Sequence, residues 1–273
     1  MGGSPPVENN MTLKLGVIGL SPGNGHPYSW SAIFNGYDSG EMKDCGFPVI
    51  PDYLARQSFP DDCITSGKVT HVWTQDTGLS LKIARTALIP NVARRVEDLV
   101  GEVDAVLLAR DDAETHYQFA APFLKAGIPI YIDKPLALSV SEAEALLSLQ
   151  RYPGQLFSCS ALRYATELQL TPVDRDIVGE IRYVHATVPK DWNKYAIHII
   201  DPVLNLLGDQ GTFSTPQIIR SQHITSLQAL HDSGAQIHIS AMGDTPVPIV
   251  IDIAGSNGCV QLRFQNTFMA FKN

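Results

Sequence analysis

Between Leu13 and Ile132, short apolar runs alternate with stretches of helical spacing, and this alternation narrows the fold more than any other feature of the chain. Residues 13–19 read as a strand ending in glycine. The turn-rich Ser21-Pro22-Gly23-Asn24-Gly25 follows, and the spacing of Tyr28, Trp30, Ile33 and Phe34 predicts a helix from about Pro27, a residue that suits a first helical turn. Further strands are expected at 69–74, 92–93, 105–109 and 129–132. Helical segments are expected at 79–87, 96–100 and 117–126, the last stopped by Gly127. Apolar strands separated by helices require a mostly parallel sheet covered on both faces, that is, a doubly wound α/β domain. Residues 36–67 carry several Gly, Pro and Asp and no sustained period, so they read as an insertion with one short helix near 53–57.

The second half changes character. Residues 181–187, 218–224, 235–241, 247–254 and 259–264 have strand patterning. Thr225-Ser226, Gly243-Asp244-Thr245-Pro246 and Ser256-Asn257-Gly258 punctuate them as turns, giving an α+β domain with an open antiparallel or mixed sheet. The expected organisation is a loose tail at 1–10, a first domain at 11–161 and a second at 162–273. The tail lacks the basic start and apolar core of a signal peptide. The chain has 273 residues, 44% hydrophobic and 18% charged, enough to bury a sizeable core. With 20 basic and 28 acidic residues its formal charge is -8, which argues against nucleic acid or an anionic membrane as a main partner. The four cysteines are scattered without Cys-x-x-Cys spacing, so a reduced, cytoplasmic setting without a zinc site is expected. No apolar run approaches membrane-spanning length.

Open α/β sheets bind ligands at the carboxyl ends of their strands, and two places there carry chemistry. The first is the turn after the first strand, where Gly19, Ser21, Gly23, Asn24 and Gly25 could bring backbone N–H groups and a helix start against a pyrophosphate. The Gly-x-Gly-x-x-Gly pattern is absent: Ser21 and Asn24 stand at its second and third positions, and a structural glycine turn accounts for the same residues. Asp76, after the second strand, is placed to meet a ribose hydroxyl and to favour NAD over NADP by repelling a 2′-phosphate, although a loop aspartate needs no such role. The second place is Tyr131-Ile132-Asp133-Lys134-Pro135, where a buried strand runs into a carboxylate, an ammonium and a proline that prevents the strand continuing.

Val103-Asp104-Ala105-Val106, Asp111 to His116, Ala126-Gly127 and Asp133-Lys134-Pro135-Leu136-Ala137 resemble the glucose-fructose oxidoreductase and inositol dehydrogenase family (Gfo/Idh/MocA), whose Glu-Lys-Pro signature stands here as Asp-Lys-Pro. Downstream, Lys194-Tyr195-Ala196-Ile197-His198-Ile199-Ile200-Asp201 is similar to the family's Asp-x-x-x-His-x-x-Asp segment. The resemblance implies a Rossmann-type domain that binds NAD, with NADP as the alternative, followed by a domain that floors the substrate site and forms a homodimer or homotetramer through its sheet. It implies a small sugar or cyclitol as the partner in hydride transfer. Lys134 and His198 would be catalytic; Asp191, Lys194, Tyr195 and Asp201 would bind substrate; Arg110, Asp111, His116, Asp133, Lys134 and Pro135 would join the glycine turn around the cofactor. The sequence departs from the family at Lys194, where a carboxylate is usual: either Asp191 or Asp201 replaces it in the proton relay, or the substrate is acidic, or Lys194 faces solvent and takes no part. Asp201-Pro202 suggests a helix that starts or kinks at Pro202. A closing helix usual in the family would lie beyond Phe271. A non-redox binding or regulatory role, and glycoside cleavage with retained NAD, stay open as alternatives.

Overall fold

A computed structural model describes residues 12–208 and 211–273; the tail expected at 1–10 lies outside them. The chain forms two compact units that interleave in sequence, where a single seam at 161/162 is the sequence-based expectation. One runs to Ile132 and resumes over Ser139–Phe157, and the other takes Asp133–Leu138 and Ser158–Asn273.

The first unit contains, in chain order, β1 (Leu13–Ile18), α1 (His26–Asn35), α2 (Ser39–Lys43), α3 (Val49–Leu54), β2 (Gly67–Trp73), α4 (Thr77–Thr86), β3 (Asn91–Val92), β4 (Ala105–Leu108), α5 (His116–Ala126), β5 (Ile130–Ile132), α6 (Val140–Leu147) and β6 (Leu156–Phe157). Its six strands pair in parallel in the order β3-β2-β1-β4-β5-β6, the doubly wound arrangement whose direction reverses between β1 and β4. Val17, Ile18, Val72, Val106, Leu108 and Ile132 are buried within it. Asn35 fastens the end of α1 to β2, its amide donating to the Val69 carbonyl at 2.8 Å and accepting from the Val69 N–H at 3.0 Å. Residues 36–67 hold two short helices rather than one at 53–57. Asp38 caps α2, and Pro51 sits in the first turn of α3, where its missing N–H removes no helix bond. The sequence pattern does not announce α6, because only Leu146 of that helix is buried.

Three strand ends are tied together by side chains. Leu20, Gln75 and Arg110 each lie two positions past β1, β2 and β4. The Gln75 amide accepts from the Leu20 N–H at 3.2 Å and donates to the Leu20 carbonyl at 2.8 Å. The Arg110 guanidinium grips Asp112 with two bonds, of 2.9 and 2.6 Å, donates to Gln75 at 3.0 Å and lies 4.9 Å over the Phe119 ring. Arg110 is only 7% exposed, so the pair works where water screens it little.

The second unit contains α7 (Pro172–Val178), β7 (Ile181–Val188), α8 (Trp192–Tyr195), α9 (Ile197–Leu207), β8 (Gln217–Arg220), β9 (Thr225–Leu230), β10 (Gln236–Ala241), β11 (Val250–Gly255), β12 (Cys259–Arg263) and α10 (Thr267–Lys272). The sheet is mixed, in the order β12-β11-β7-β10-β9-β8, with β7 and β10 parallel and the other pairs antiparallel. One face packs Val184, Ala186, Ile237, Ile239, Ile251 and Ile253 against Ile199, Val203 and Leu206 of α9. On the other face the register aligns Gln217, Gln228, His238, His185, Asp252 and Gln261 in one row across all six strands. Burial and the neighbouring His185 hold His238 below the usual histidine range. Thr225 and Ser226 are the start of a strand rather than the expected turn. The reversal lies at residues 221–224, where the Ser221 hydroxyl accepts from the N–H groups of His223 and Ile224. Among the described residues no helix is long and apolar enough to cross a membrane.

Replacing Arg110 by Met should destabilise the protein by about 3 kcal/mol, because it strands the half-buried Asp112 carboxylate and releases the β4 end from Gln75. Urea unfolding would check this, and an unchanged midpoint would mean that the clasp adds nothing to the fold.

Candidate functional site

In the first unit, the turn after β1 lies at the point where strand order reverses. Gly19 has no room for a side chain: an added Cβ would sit 2.3 Å from the Pro27 ring, so the strand end and α1 approach closely only with glycine there. Gly23 is in the left-handed region at φ 81° with open space where a Cβ would stand. Asn24 is buried and its Oδ1 accepts from the His26 N–H at 2.8 Å, while the helix N-cap, Gly25, offers no side-chain cap. Ser21, fully buried, is bonded reciprocally to Asp111: its hydroxyl donates to the carboxylate at 2.6 Å and accepts from the Asp111 N–H at 3.0 Å. Asp76 is exposed at the end of β2 and caps α4, accepting from the Leu79 N–H at 2.7 Å through one oxygen. A turn at the strand-order reversal, an open left-handed glycine and an exposed carboxylate after β2 could receive the pyrophosphate and ribose of a dinucleotide, with the first N–H of α1 already held by Asn24. Ser21, which stands at the second position of the usual glycine pattern, is held in the turn by Asp111.

Arg110 is engaged in the strand-end clasp, and His116 is fully buried with its Nε2 2.9 Å from the Arg110 carbonyl. A carbonyl only accepts, so Nε2 carries the proton of that bond. Both side chains thus shape the β4 loop from within.

The second unit gathers Lys134, Tyr195 and His198. Asp133 and Lys134 are buried, at 1% and 6% exposure, and the Lys134 N–H donates to the Asp133 carboxylate at 2.8 Å; the Lys134-Pro135 peptide is cis. The Lys134 ammonium lies 6.0 Å from the centre of the Tyr195 ring, and the His198 ring meets that ring edge-on at 5.2 Å. Lys190, which the sequence does not single out, approaches Tyr195 from above at 4.3 Å and donates to its hydroxyl. Its backbone is left-handed, at φ 64°, which turns the chain between β7 and α8.

Asp191 is the N-cap of α8, accepting from the Lys194 N–H at 3.0 Å, and it is exposed. Asp201 and Pro202 lie inside α9, so the helix does not start at Pro202 as that dipeptide suggests; it begins at Ile197 and carries His198 in its first turn. The Asp201 carboxylate accepts instead from the Ser160 N–H at 2.5 Å, and the Ser160 hydroxyl stands 2.7 Å from Nδ1 of His198. Ser160 has no sequence signal: it lies 38 residues before His198 and belongs to no spaced motif. Among the described residues no cluster of His, Cys, Asp and Glu is placed to hold a metal.

Residues 39–160 match the family described as "Oxidoreductase family, NAD-binding Rossmann fold" (GFO_IDH_MocA). A protein of Amycolatopsis mediterranei (strain S699) named "Putative UDP-kanosamine synthase oxidoreductase subunit" is 26% identical over 174 residues, 64% of this chain; the match spans 40% of that relative's length. Among solved structures, myo-inositol dehydrogenase from Lactobacillus casei, in complex with NAD(H) and myo-inositol, superposes with a TM-score of 0.69 at 16% identity, over 93% of this chain and 75% of its own. UDP-N-acetylglucosamine 3-dehydrogenase from Acidithiobacillus ferrooxidans superposes with a TM-score of 0.66 at 16% identity, over 96% of this chain and 88% of its own. Identities this low speak to the fold alone, whereas the family match rests on the sequence of the Rossmann unit. The stretch 39–160 of this chain is thus similar to the NAD-binding Rossmann-fold oxidoreductases of that family.

Proposed function

We propose that this protein is an NAD(P)-dependent dehydrogenase that moves a hydride to or from a hydroxyl-bearing carbon of a sugar, sugar derivative or cyclitol. The observation that carries this reading is the grouping of Lys134, Tyr195 and His198 within one unit of a chain whose residues 39–160 match a family of NAD-binding Rossmann-fold oxidoreductases. The Gly19 to Gly25 turn and the start of α1 would hold the pyrophosphate and Asp76 the ribose. The bound dinucleotide supplies the hydride acceptor. Oxidising an alcohol also requires removal of its hydroxyl proton, work for a group of near-neutral pKa, and His198 has that role. Lys134, cationic and buried at the end of a strand, donates to the same oxygen and stabilises its alkoxide character.

The place one helical turn before His198 is filled by Lys194, and Lys190 stands beside the same tyrosine, so this side of the site is cationic. That favours a sugar bearing an anionic group, a carboxylate or a phosphate. Assembly into a homodimer or homotetramer through the open face of the second sheet completes the reading; exposed Tyr183 and Leu230 lie on that face beside the polar row.

Calorimetric titration with NAD and with NADP, after denaturing an aliquot to detect carried cofactor, is expected to show tighter binding of NAD, since Asp76 repels a 2′-phosphate. Absence of both binding and carried cofactor would turn the reading to a non-redox ligand. Retained NAD without net reduction would turn it to glycoside cleavage.

Lys134→Ala should lower kcat/KM about 100-fold, or roughly 3 kcal/mol of transition-state stabilisation, while the purified variant stays folded. Steady-state kinetics with the best substrate from a sugar screen would measure it, and an unchanged rate removes Lys134 from the chemistry. Lys190→Ala should raise KM about tenfold, or ~1.4 kcal/mol, for an anionic sugar and leave a neutral one unaffected. Equal effects on both would deny Lys190 any part in recognising charge.

A further inference from the structure

We propose that Ser160, anchored by Asp201, is the positioning residue that fixes the His198 ring in the tautomer able to accept a proton. This rests on His198 being the proton-transfer group. Ser160 is fully buried. Its backbone N–H donates to Asp201 at 2.5 Å, its hydroxyl accepts from the Leu162 N–H at 3.2 Å, and the same hydroxyl stands 2.7 Å from Nδ1 of His198. His198 and Asp201 are three residues apart on α9 and therefore share a face of that helix. One grips the serine side chain while the other grips its backbone, so the ring, the hydroxyl and the carboxylate form one connected unit.

A hydroxyl has two lone pairs and one hydrogen. The Leu162 N–H takes one lone pair; in the proposed arrangement Nδ1–H donates to the other, which places the ring proton on Nδ1. Nε2 then keeps its lone pair. That lone pair forms a new N–H bond with the substrate hydroxyl proton, and the electrons of the broken O–H bond stay on oxygen. The opposite tautomer would let Ser160 donate to Nδ1 and put the proton on Nε2, leaving no lone pair there to accept one. The other charged groups of the motif do different work. Asp191 caps α8, and Lys194 contributes a cation where a carboxylate would otherwise have steadied the ring. An uncharged hydroxyl held in place by a carboxylate thus does the orienting at this site.

The test reads the tautomer directly, by two-bond proton–nitrogen correlation spectra of the whole protein labelled with 15N-histidine, His198 being assigned by the signal lost in His198→Asn. The wild type is expected to show Nδ1–H; in Ser160→Ala the Nε2–H form should grow, with kcat falling about tenfold and KM within twofold. Ser160→Thr, which restores a hydroxyl, should recover much of both. A wild-type ring protonated on Nε2 overturns the proposal without any need for a folded variant. A Ser160→Ala protein that keeps both Nδ1–H and full kcat, while His198→Asn loses turnover, also overturns it. If His198→Asn itself keeps full turnover, the reading of His198 falls, and the proposal falls with it.

Discussion

The rest of the first unit depends on the buried fork of Arg110. A guanidinium presents donors in one rigid plane, and here one side of that plane holds Asp112 by two bonds while another donor reaches Gln75. Gln75 in turn clasps both backbone groups of Leu20. Parallel strands leave their ends without hairpin partners, so the ends of β1, β2 and β4 would each be free to fray into the loops that follow. The clasp converts three separate ends into one platform from which the glycine turn, Asp76 and the β4 loop project. Ser21 and Asp111 repeat the device one residue further along, with reciprocal bonds of 2.6 and 3.0 Å. A loop that has lost the usual glycine spacing keeps a defined shape because side chains have taken over part of the work of the backbone.

The second site is organised by α9 instead of by strand ends. An amphipathic helix lays Ile199, Val203 and Leu206 on the sheet, which fixes its rotation and thereby the direction of every other side chain on it. With that rotation set, His198 and Asp201 both reach Ser160, and Tyr195, from the short helix before, lies edge-on to the histidine. Pro202 sits inside α9 and withdraws the N–H that the carbonyl of residue 198 would otherwise receive. The helix tolerates this loss because its packed face, more than its ladder of bonds, holds it in place.

Much of this architecture is legible from residue order. The parallel sheet follows from buried apolar strands such as 105–108 and 130–132, the end of α5 follows from Gly127 in its left-handed conformation, and the motif around Lys134 stands out through its resemblance to a known family. What escapes is of two kinds. Local signals mislead where a residue has two uses: Asp201-Pro202 suggests a helix start although both residues lie inside α9, and Thr225-Ser226 reads as a turn although Ser221 makes the reversal. Long-range pairings leave no local trace at all. Nothing near Ser160 indicates a histidine 38 residues away, and Arg110 looks like a loop cation until the fold brings Asp112, Gln75 and Phe119 around it. The departure at Lys194 is visible in the sequence, but the partner of the histidine emerges only from the fold.

The interleaving of the two units has a genetic consequence. The chain passes from one unit to the other at Ile132/Asp133, returns at Leu138/Ser139 and passes again at Phe157/Ser158. A gene cut once at the last seam would give a downstream fragment with His198, Ser160 and Asp201 but without the six-residue excursion that carries Lys134. A single crossover at that seam could therefore not move this set of groups onto another first unit intact. The lysine and the histidine are inherited together only when the whole span between them travels as one, so exchange at that seam parts them while substitution at individual positions stays open.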